Sequence, residues 1–403
     1  MKKLFTLIAM ACMAIGAQAQ DNSTVGLEDN TSGWWTAFSD YYTIAPGKTL
    51  HLEFVNYSSK VENWNNWVAV VTTAAERGAD GYTEYFVLRA DNYGWGDRYN
   101  GGNLRSSYNW DTFKDDMDGA TVKMDIKRSG AMVIVYADIT TAAGATYFER
   151  FETCCGYGNQ DINAFLTVDG AHLVIDNTKT TTTDTTAEDV SYVGRETNDS
   201  EWWQAFSDYY TLEPGKTLCT EFTNYSSKEG NWNNWIAVLT TEAERGADGY
   251  SEYVVLRADN YAWAGALNTG AESSHDWFTS FSSNYNWDTF KDDLDGAVIA
   301  LSVVREDANV KLRAEVSGTE LYEEMVLPCG DGTQNINLFL TTEKGHLAID
   351  NTKTTIIDTS VYTGIESVKG NTGKGAAYNM AGQQVGNGYR GLIIKNGKKM
   401  LVK

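Results

Sequence analysis

The sequence repeats itself over a length that is typical of a whole domain. Residues Trp34–Trp67 and Trp202–Trp235 align without a gap and are identical at 26 of 34 positions. The similarity continues through further shared segments, which are ERGADGY (Glu76–Tyr82, Glu244–Tyr250), LRADNY (Leu88–Tyr93, Leu256–Tyr261), YNWDTFKDD (Tyr108–Asp116, Tyr285–Asp293) and IDNTKT (Ile175–Thr180, Ile349–Thr354). A repeat of roughly 150–160 residues is far longer than a solenoid unit, so we expect two copies of one domain.

The repeats divide the chain into six segments. We expect a signal peptide at 1–19, the first repeat at 20–179, a linker at 180–190, the second repeat at 191–354, a second linker at 355–375 and a different C-terminal tail at 376–403. The first linker, TTTTDTTAEDV, is polar and has no apolar periodicity. The second repeat has additional residues around Ala264–Ser280, and a loop that tolerates insertion is expected at the surface.

The first residues have the pattern of a secretory signal. Lys2 and Lys3 precede the apolar stretch Leu4–Gly16, and the small-residue site Ala17–Ala19 follows it. The apolar stretch is too short for a permanent membrane span. A lipoprotein signal at Cys12 is the less favoured alternative, because the preceding residues are a poor lead-in for lipidation. We therefore expect cleavage after Ala19 and no membrane insertion of the mature chain.

The residue pattern predicts an all-β fold. Short runs rich in β-branched and aromatic residues alternate with Gly, Asn and Asp clusters. The predicted strands of the first repeat are Leu50–Tyr57, Trp67–Thr73, Tyr82–Ala90, Val122–Lys127, Met132–Ile139 and His172–Ile175. Many short strands at regular spacing indicate a β-sandwich in each repeat, jelly-roll-like in its arrangement, with a small β domain at the C-terminus. One helical turn is predicted at Asp111–Met117, with Asp111 as its cap.

Charge and cysteine content restrict the partners and the means of stabilisation. The formal net charge is −22, although residues 361–403 contain seven Lys or Arg and one Glu. An acidic body argues against nucleic acid and anionic membranes, but not against neutral ligands. Cys154, Cys155, Cys219 and Cys329 are too few for a disulfide scaffold, so the cores must be hydrophobic. We interpret the adjacent pair Cys154–Cys155 as buried free thiols, and we expect a monomer.

Nothing in the sequence forms a recognisable catalytic constellation. Glycoside cleavage generally needs two carboxylates that face each other across the bond, and no strand carries the alternating carboxylates of jelly-roll glucanases. Histidine is scarce, and no nucleophile–histidine arrangement, zinc-ligand spacing or phosphate loop stands out. We therefore name no catalytic residue.

Tryptophans flanked by polar residues are the candidate ligand-binding feature. Trp64, Trp95 and Trp110 lie at strand ends or in loops among Asn, Asp and Gly, where an exposed ring is costly unless it contacts a ligand. Sugars present C–H faces that stack on indole rings and hydroxyls that need polar side chains. The candidate residues are Trp64, Asn65, Asn66, Arg89, Asp91, Trp95 and Trp110 in the first repeat and Trp232, Asn233, Asn234, Arg257, Asp259, Trp263 and Trp287 in the second.

Packing is the alternative explanation for these aromatic residues. Trp67 leads into an apolar strand and is expected in the core, and we expect the pair Trp34–Trp35 to pack in a core or at a sheet edge. For Trp64, Trp95 and Trp110, a ligand role and packing at the end of the sandwich both stay open. Arg89 and Asp91 alternate on one strand face and form either a salt bridge or part of the same site.

The C-terminal tail resembles the sorting domains of proteins exported by the type IX secretion system of Bacteroidota. Tyr378–Val385 matches the strand–turn–strand opening of these domains, and Gly391–Ile394 with Asn396–Lys399 matches their closing hairpin. Asn-Gly is also a strong hairpin turn by itself. The resemblance implies a secreted or surface-displayed protein of a Gram-negative bacterium.

The repeats resemble the jelly-roll carbohydrate-binding modules of polysaccharide-degrading systems in Bacteroidota. The resemblance lies in the strand pattern, the loop aromatics and the closing segment Ile-Asp-Asn. It implies no required cofactor, but it admits a structural calcium ion at Asp176 and Asp350. The acidic partners would be Glu28 or Asp29 in the first repeat and Glu196 or Asp199 in the second.

The sequence thus favours an exported, non-catalytic protein that binds a neutral polysaccharide or oligosaccharide through two aromatic-lined modules. Repetition favours binding over catalysis, because two weak sites on one chain raise the effective concentration of the second contact. The alternatives are a polysaccharide lyase or glycoside hydrolase on the same scaffold, and a structural or adhesive surface protein.

Overall fold

Each repeat is a sandwich of two antiparallel β-sheets in the computed structural model of the chain. The structure describes residues 21–156, 158–263 and 280–362 and, in the tail, the strand backbones within 377–402. The predicted signal peptide and nearly all of the Ala264–Ser280 loop lie outside these residues. The predicted all-β class is confirmed.

The first repeat has a large and a small sheet. The strands of the large sheet are β1 (Asn22–Val25), β3 (Lys48–Ser58), β7 (Asn103–Ser106), β8 (Ala120–Ser129), β9 (Met132–Thr140), β10 (Thr146–Cys154), β12 (Ala171–Asp176) and β13 (Thr181–Asp184). Those of the small sheet are β2 (Tyr42–Ile44), β4 (Trp67–Thr73), β5 (Glu84–Arg89), β6 (Tyr93–Trp95) and β11 (Ile162–Val168). The strand orders are β1-β12-β3-β8-β9-β10-β7, with β13 paired to β3, and β2-β11-β4-β5-β6. The chain crosses repeatedly between the sheets, as in a jelly roll.

The second repeat has the same two sheets. The strands of its large sheet are β14 (Val190–Val193), β16 (Lys216–Ser226), β20 (Ser280–Ser283), β21 (Ala297–Glu306), β22 (Asn309–Val316), β23 (Tyr322–Pro328) and β25 (Gly345–Asp358). Those of the small sheet are β15 (Tyr210–Leu212), β17 (Trp235–Thr241), β18 (Glu252–Arg257), β19 (Ala262–Trp263) and β24 (Ile336–Thr342). The orders β14-β25-β16-β21-β22-β23-β20 and β15-β24-β17-β18-β19 repeat those of the first repeat.

Alternation of apolar and polar residues directs one face of each strand into the core. In β3, Leu50, Leu52 and Phe54 are buried between the sheets, while the residues between them are only partly buried. Trp67 is completely buried, as expected of a core residue, and so is its counterpart Trp235. Such a ring is a large part of the hydrophobic stabilisation of a sandwich core.

The predicted helical turn exists, but its predicted cap is wrong. The helices are α1 (Phe113–Asp116) and α2 (Phe290–Leu294). Thr112 occupies the N-cap position of α1, and its hydroxyl donates to Asp116 Oδ2 at 2.5 Å. Asp111 lies outside the helix, and its backbone N–H donates to Asn109.

The segment that we interpreted as a polar linker begins with a strand. In β13, Thr181–Asp184 pairs with β3, and Lys48 Nζ lies 2.5 Å from Asp184 Oδ1. In the second repeat, the end of β25 pairs with β16 in the same way, so Thr355–Asp358 is a strand rather than the start of the second linker. Threonine favours extended backbone, and a polar strand can pair at a sheet edge without a buried face.

The tail forms a separate four-stranded sheet. Its strands are β26 (Ala377–Asn379), β27 (Gln384–Val385), β28 (Gly391–Lys395) and β29 (Lys398–Val402), in the order β27-β26-β28-β29. The strand–turn–strand opening and the closing hairpin therefore fold as their sequences predict. Across the described part of the chain, no helix has the length and apolarity that crossing a membrane requires.

Candidate functional site

One open depression of about 620 Å³ lies at the end of the first sandwich, beside the loop that carries Trp64. We call it the Trp64 cleft. Its lining residues come from the loop before β4, from the turn between β5 and β6, and from α1: Glu62, Asn63, Trp64, Arg89, Asp91, Asn92, Tyr93 and Lys114. The cleft brings together three of the predicted ligand-binding residues, Trp64, Arg89 and Asp91.

Asn65 and Asn66 hold the loop in place and do not line the cleft. Asn66 is buried, and its Oδ1 accepts a hydrogen bond from Asn56 Nδ2 at 2.8 Å. Asn65 is also buried, and its Oδ1 accepts from Glu62 N at 2.8 Å and from Ser59 Oγ at 3.0 Å. A buried amide with protein partners is not available to a ligand. We therefore correct the ligand role that the sequence suggested for these two residues.

The equivalent amides of the second repeat have the same function. Asn234 Oδ1 accepts from Asn224 Nδ2 at 2.8 Å, and Asn233 Oδ1 accepts from Gly230 N at 2.6 Å. Both Asn233 and Asn234 are buried. The repeated Asn pair therefore fixes the loop so that the neighbouring tryptophan projects from it.

Arg89 and Asp91 form a two-pronged ion pair at the floor of the cleft. Arg89 Nε donates to Asp91 Oδ1 at 3.0 Å, and Arg89 Nη2 donates to Asp91 Oδ2. The salt bridge that the sequence left as one alternative is present, and both residues also line the same cleft as Trp64. A bidentate pair of this kind fixes the planes of both groups, so that they offer donors and acceptors in one geometry.

Two aromatic rings flank this ion pair. The Arg89 guanidinium carbon lies 4.9 Å from the ring centre of Tyr93 and 5.7 Å from that of Trp64. Trp64 is 41% exposed and Tyr93 is 55% exposed. Because Tyr93 pairs with Arg89 across β5 and β6, both side chains project from the outer face of the small sheet. The arrangement is a polar floor between two exposed rings.

A buried carboxyl group supports the turn that carries Asp91 and Asn92. Glu149 is completely buried, and its Oε2 accepts a hydrogen bond from the Tyr108 hydroxyl at 2.9 Å. It also accepts from the backbone N–H of Asn92, which has a left-handed φ of 61°. Burial raises the pKa of Glu149 well above its usual range, and the nearby Asp91 raises it further. Glu149 therefore holds the turn from below and does not contact the cleft.

The second repeat contains the same ion pair with its neighbouring tyrosine. Arg257 Nε donates to Asp259 Oδ1 at 3.0 Å, and the guanidinium carbon lies 4.7 Å from the ring centre of Tyr261. Trp232 is 47% exposed. Glu323, the counterpart of Glu149, is completely buried, and burial raises its pKa well above the usual range.

The two repeats differ at one residue beside the tryptophan. Glu62 of the first repeat corresponds to Gly230 of the second. A Cβ added to Gly230 would lie 2.7 Å from the indole of Trp232, so this ring lies over the glycine. Glu62 has such a Cβ, which prevents Trp64 from adopting that position, and Trp64 instead lies near Arg89. The two sites therefore present the same ring in different orientations.

Trp95 and Trp110 do not line the Trp64 cleft. The ring of Trp95 packs on Trp34 at 5.0 Å, and its centre lies 6.3 Å from that of Tyr93. Trp110 is 45% exposed and packs on Phe113 at 4.9 Å. Trp287 repeats this position at the same exposure and with Phe290 at 4.9 Å. Trp263 ends β19, and its side chain lies outside the described residues.

Sequence reasoning missed several residues of the site. Tyr93 and Lys114 lie in the repeated segments LRADNY and YNWDTFKDD, and their recurrence was the available signal. Glu149 and Glu323 were not recognised as a pair because the sequences of their strands differ between the repeats. Each of them nevertheless lies six residues before a matching cysteine, Cys155 or Cys329. An alignment anchored on those cysteines would have found the pair.

The structure does not bring the proposed calcium ligands together. Asp176 Oδ1 accepts from Thr178 N at 3.0 Å and from Thr178 Oγ1 at 2.6 Å, and Lys179 lies beside it. These contacts lower the pKa of Asp176. The strand register pairs Asp176 with Asn22 and Leu173 with Val25. Glu28 and Asp29 follow Val25, so they lie towards the opposite end of the strand.

The second repeat shows the same separation. Asp350 Oδ1 accepts from Thr352 N at 3.0 Å and from Thr352 Oγ1. Asp350 pairs with Val190, whereas Glu196 and Asp199 follow Val193 at the other end of β14. The described residues contain no group of three or more His, Cys, Asp or Glu arranged to hold a metal ion.

Comparisons with known proteins give no family. No protein-family model matches the chain, and a search of the curated proteins finds no match. Solved structures with some similarity include a functionally unknown protein from Saccharomyces cerevisiae, at 7% identity and a TM-score of 0.24, covering 43% of this chain and 90% of that one. Another is the LG4-5 domain pair of the mouse laminin alpha1 chain, at 9% identity and a TM-score of 0.20, covering 84% of this chain and 90% of that one. Neither similarity is close enough to bear on function.

Proposed function

We propose that the protein binds glycans without cleaving them, through the Trp64 cleft and its counterpart around Trp232. The observation that carries the proposal is the recurrence of one set of residues in both repeats: an exposed tryptophan, and a tyrosine whose ring lies against a fixed Arg–Asp pair. Pyranose rings stack on exposed indole and phenol rings, and their hydroxyl groups pair with guanidinium and carboxylate groups.

The charge of the cleft favours a neutral sugar. Its lining contains two acidic residues, Glu62 and Asp91, and two basic residues, Arg89 and Lys114. Arg89 is already neutralised by Asp91, and Lys114 Nζ donates to the Val61 carbonyl at 3.2 Å. A ligand with many carboxylates or sulfates would find no surplus of positive charge in the cleft.

The carboxylates at the cleft favour binding over hydrolysis. Asp91 is held by both prongs of Arg89, and the nearby Glu149 is completely buried beneath the turn. Glycoside cleavage uses two carboxyl groups that both reach the scissile bond. Glu62 is exposed at the cleft, but Gly230 takes its place in the second repeat. A lyase or hydrolase remains the second candidate, with release of reducing or unsaturated sugars as its direct assay.

We also propose that the protein acts outside the cytoplasm, secreted or displayed at the surface of a Gram-negative bacterium. The supporting features are the secretory pattern of the first residues and the two short hairpins of the tail. Immunoblots of the culture medium and of intact cells would locate it.

Affinity electrophoresis through gels that contain neutral polysaccharides tests the binding proposal. We expect the double variant Trp64→Ala/Trp232→Ala to lose retardation, because removal of a central aromatic contact typically costs about 2 kcal/mol or more, roughly 30-fold in affinity. Tyr93→Ala should weaken the first site in the same direction. The melting temperature should change little, since these side chains are exposed.

The chain offers a matched control. Trp110→Ala/Trp287→Ala removes two tryptophans of comparable exposure that lie outside the clefts. This control should keep wild-type retardation. The proposal is wrong if no neutral polysaccharide retards the wild-type protein, or if the control pair loses retardation as fully as the Trp64/Trp232 pair.

A further inference from the structure

The two repeats are packed against each other through an aromatic surface. In the second repeat, the outer face of the small sheet carries Trp202, Trp203, Phe206, Tyr209 and Phe339, which we call the second aromatic face. Against it lies one end of the first sandwich, the turn between β8 and β9 with the end of β10, which we call the first tip. Its apolar contacts are Ala131, Met132 and Cys154.

Close backbone approach and one hydrogen bond fix this contact. The backbone N–H of Ala131 donates to Asp208 Oδ1 at 3.1 Å. A Cβ on Gly130 would lie 2.0 Å from Asp208 Oδ2, and a Cβ on Gly101 would lie 2.1 Å from the Gln204 carbonyl oxygen. Both positions therefore require glycine. The second aromatic face recognises a small, glycine-containing tip with a free backbone donor.

The first repeat carries a nearly identical face. The first aromatic face consists of Trp34, Trp35, Phe38, Tyr41 and Phe165. The Trp–Trp ring distance is 5.0 Å here and 4.9 Å in the second face. The Trp–Phe distances are 5.3 and 5.5 Å, and the Phe–Phe distances are 5.9 and 5.7 Å. An arginine lies 3.3 Å from the matching phenylalanine ring centre in both repeats.

The two faces differ in whether they are covered. Phe206 is 4% exposed, whereas Phe38 remains partly exposed. Arg77 and Asp40 are exposed, whereas their counterparts Arg245 and Asp208 are partly buried. Within the described part of the chain, the apolar neighbours of the first aromatic face all belong to its own repeat. The same surface is thus built twice and covered once.

We propose that the first aromatic face binds the tip of a β-sandwich domain on another polypeptide, in the way that the second face binds the first tip. The partner is defined by the contact already seen: a β-turn with glycine and a small residue, a free backbone N–H for Asp40, and apolar side chains behind it. Continuity with the contact inside this chain carries the proposal, since an equivalent surface has equivalent complementarity.

A second copy of this chain does not fit as the partner. Its free tip, that of the second repeat, has Asp307 at the position of Gly130, Asn309 at that of Met132 and Pro328 at that of Cys154. Asp307 would place its Cβ and its charge against Asp40. We therefore expect Asp307 to disfavour head-to-tail polymerisation of this chain, as a repulsive residue at a repeated interface does.

A sugar is the less suitable occupant of this face. Phe38 is covered by the Arg77 guanidinium at 3.3 Å and meets Trp35 edge-on at 90°. The Phe38 ring face that a pyranose would need is therefore occupied by Arg77. A protein surface needs only apolar area with a polar edge.

Grafting tests the proposal on the full-length chain. The graft replaces three residues of the second tip by those of the first, as Asp307→Gly/Asn309→Met/Pro328→Cys. It also replaces residues 264–279 by the shorter segment Gly96–Gly102, so that the second repeat carries the corresponding sequence of the first. We expect concentration-dependent head-to-tail association by sedimentation velocity, whereas the wild type stays monomeric. Adding Phe38→Glu to the graft should restore the monomer, and adding Asp111→Arg, remote from the face, should not. Circular dichroism verifies the fold, and Asp307→Gly alone, with weaker association expected, serves if the full graft misfolds.

The results of these experiments distinguish a protein partner from a sugar at the first aromatic face. A folded graft that stays monomeric at all soluble concentrations overturns the proposal, and so does association that Phe38→Glu leaves unchanged. If Phe38→Glu in the wild-type chain abolishes polysaccharide retardation, the face is a sugar platform and the docking proposal is wrong. Loss of retardation in the Trp64→Ala/Trp232→Ala variant alone leaves the docking proposal standing, because neither tryptophan belongs to an aromatic face.

Discussion

Glu149 supports the turn that places Asp91 and Asn92 in the lining of the Trp64 cleft. It is completely buried and receives two donors, the Tyr108 hydroxyl and the Asn92 backbone N–H. Because burial raises its pKa, the neutral form is the one that the fold favours. A neutral acid that accepts two hydrogen bonds can be replaced by an amide, whereas an apolar side chain would leave both donors unpaired.

We therefore expect Glu149→Gln to change the free energy of unfolding by less than about 1 kcal/mol, and Glu149→Leu to cost about 1–3 kcal/mol. The folded-state pKa is raised, so protonation of Glu149 contributes stability below about pH 4.5, and this contribution is lost as the pH rises through the raised value. Urea unfolding at several pH values would measure both effects. An equal loss of unfolding free energy in the two variants would contradict the role of Glu149 as a hydrogen-bond acceptor. An unchanged pH profile of stability in Glu149→Gln would contradict its raised pKa.

At the residue scale the sequence was informative about residue types and misleading about exposure. The repeated Asn65–Asn66 pair looked like a set of sugar ligands, because its composition is that of a binding loop. The structure uses both amides inside the loop, where Asn66 bridges to Asn56 at 2.8 Å. Burial of a polar side chain is decided by neighbours that are distant in sequence, and one sequence does not show them.

The loop before β4 and its equivalent before β17 illustrate how one side chain sets the orientation of another. Glu62 keeps Trp64 near Arg89, whereas Gly230 allows Trp232 to lie over the backbone. We expect Glu62→Gly in a Trp232→Ala background to weaken polysaccharide binding several-fold, because Trp64 can then leave the cleft. Gly230→Glu in a Trp64→Ala background should strengthen it. Affinity electrophoresis of the four variants measures both changes.

Glu62→Gln is the control for this exchange. It removes the charge but keeps the Cβ that excludes the other orientation, so binding should stay at the wild-type level. If Glu62→Gln weakens binding as much as Glu62→Gly does, the charge of Glu62 and not the orientation of Trp64 is responsible.

At the element scale, strands with clear alternation or a run of β-branched residues were predictable, and less regular ones were not. The predicted run Trp67–Thr73 coincides with β4, and Leu50–Tyr57 lies inside β3. The strands β10 and β11 were missed, although both are largely buried. Both β4 and β11 are buried along nearly their whole length, so alternation marks neither of them. The run of β-branched residues that identified β4 is missing from Ile162–Val168, and a polar edge strand such as Thr181–Asp184 resembles a linker.

The packing of the two repeats is a property of the whole molecule that the sequence could not predict. The aromatic faces consist of nearly the same residues in both copies, so the sequence does not show which of them is covered by another domain. The two repeats differ in their tips, where Gly130 of the first corresponds to Asp307 of the second. This difference can be interpreted only once the close contact between Gly130 and Asp208 is known. A duplicated surface can thus bind within the chain at one copy and stay available at the other.

The packing of the repeats should weaken as the pH rises. Partial burial and the neighbouring Asp208 raise the pKa of Glu244 to about 7, and burial also raises that of Asp208. The facing charged groups are Arg128 and Arg98 on the first repeat and Arg245 on the second. Since the folded-state pKa of Glu244 is raised, its contribution is complete below about pH 4.5 and lost as the pH rises through about 7.

Cys154 reports on this contact, because it lies buried in it while its counterpart Pro328 does not carry a thiol. We expect iodoacetamide to label Cys154 faster in the wild type than in Glu244→Gln at about pH 8, where only the wild type carries the extra buried charge. Labelling of Cys155, which lies in the sandwich core, should be equally slow in both proteins. The two cysteines are adjacent and share one peptide, so fragment-ion mass spectrometry of that peptide is needed to assign the label. Equal labelling of Cys154 in the two proteins would show that Glu244 does not control the contact, and faster labelling in Glu244→Gln would reverse the sign of its effect.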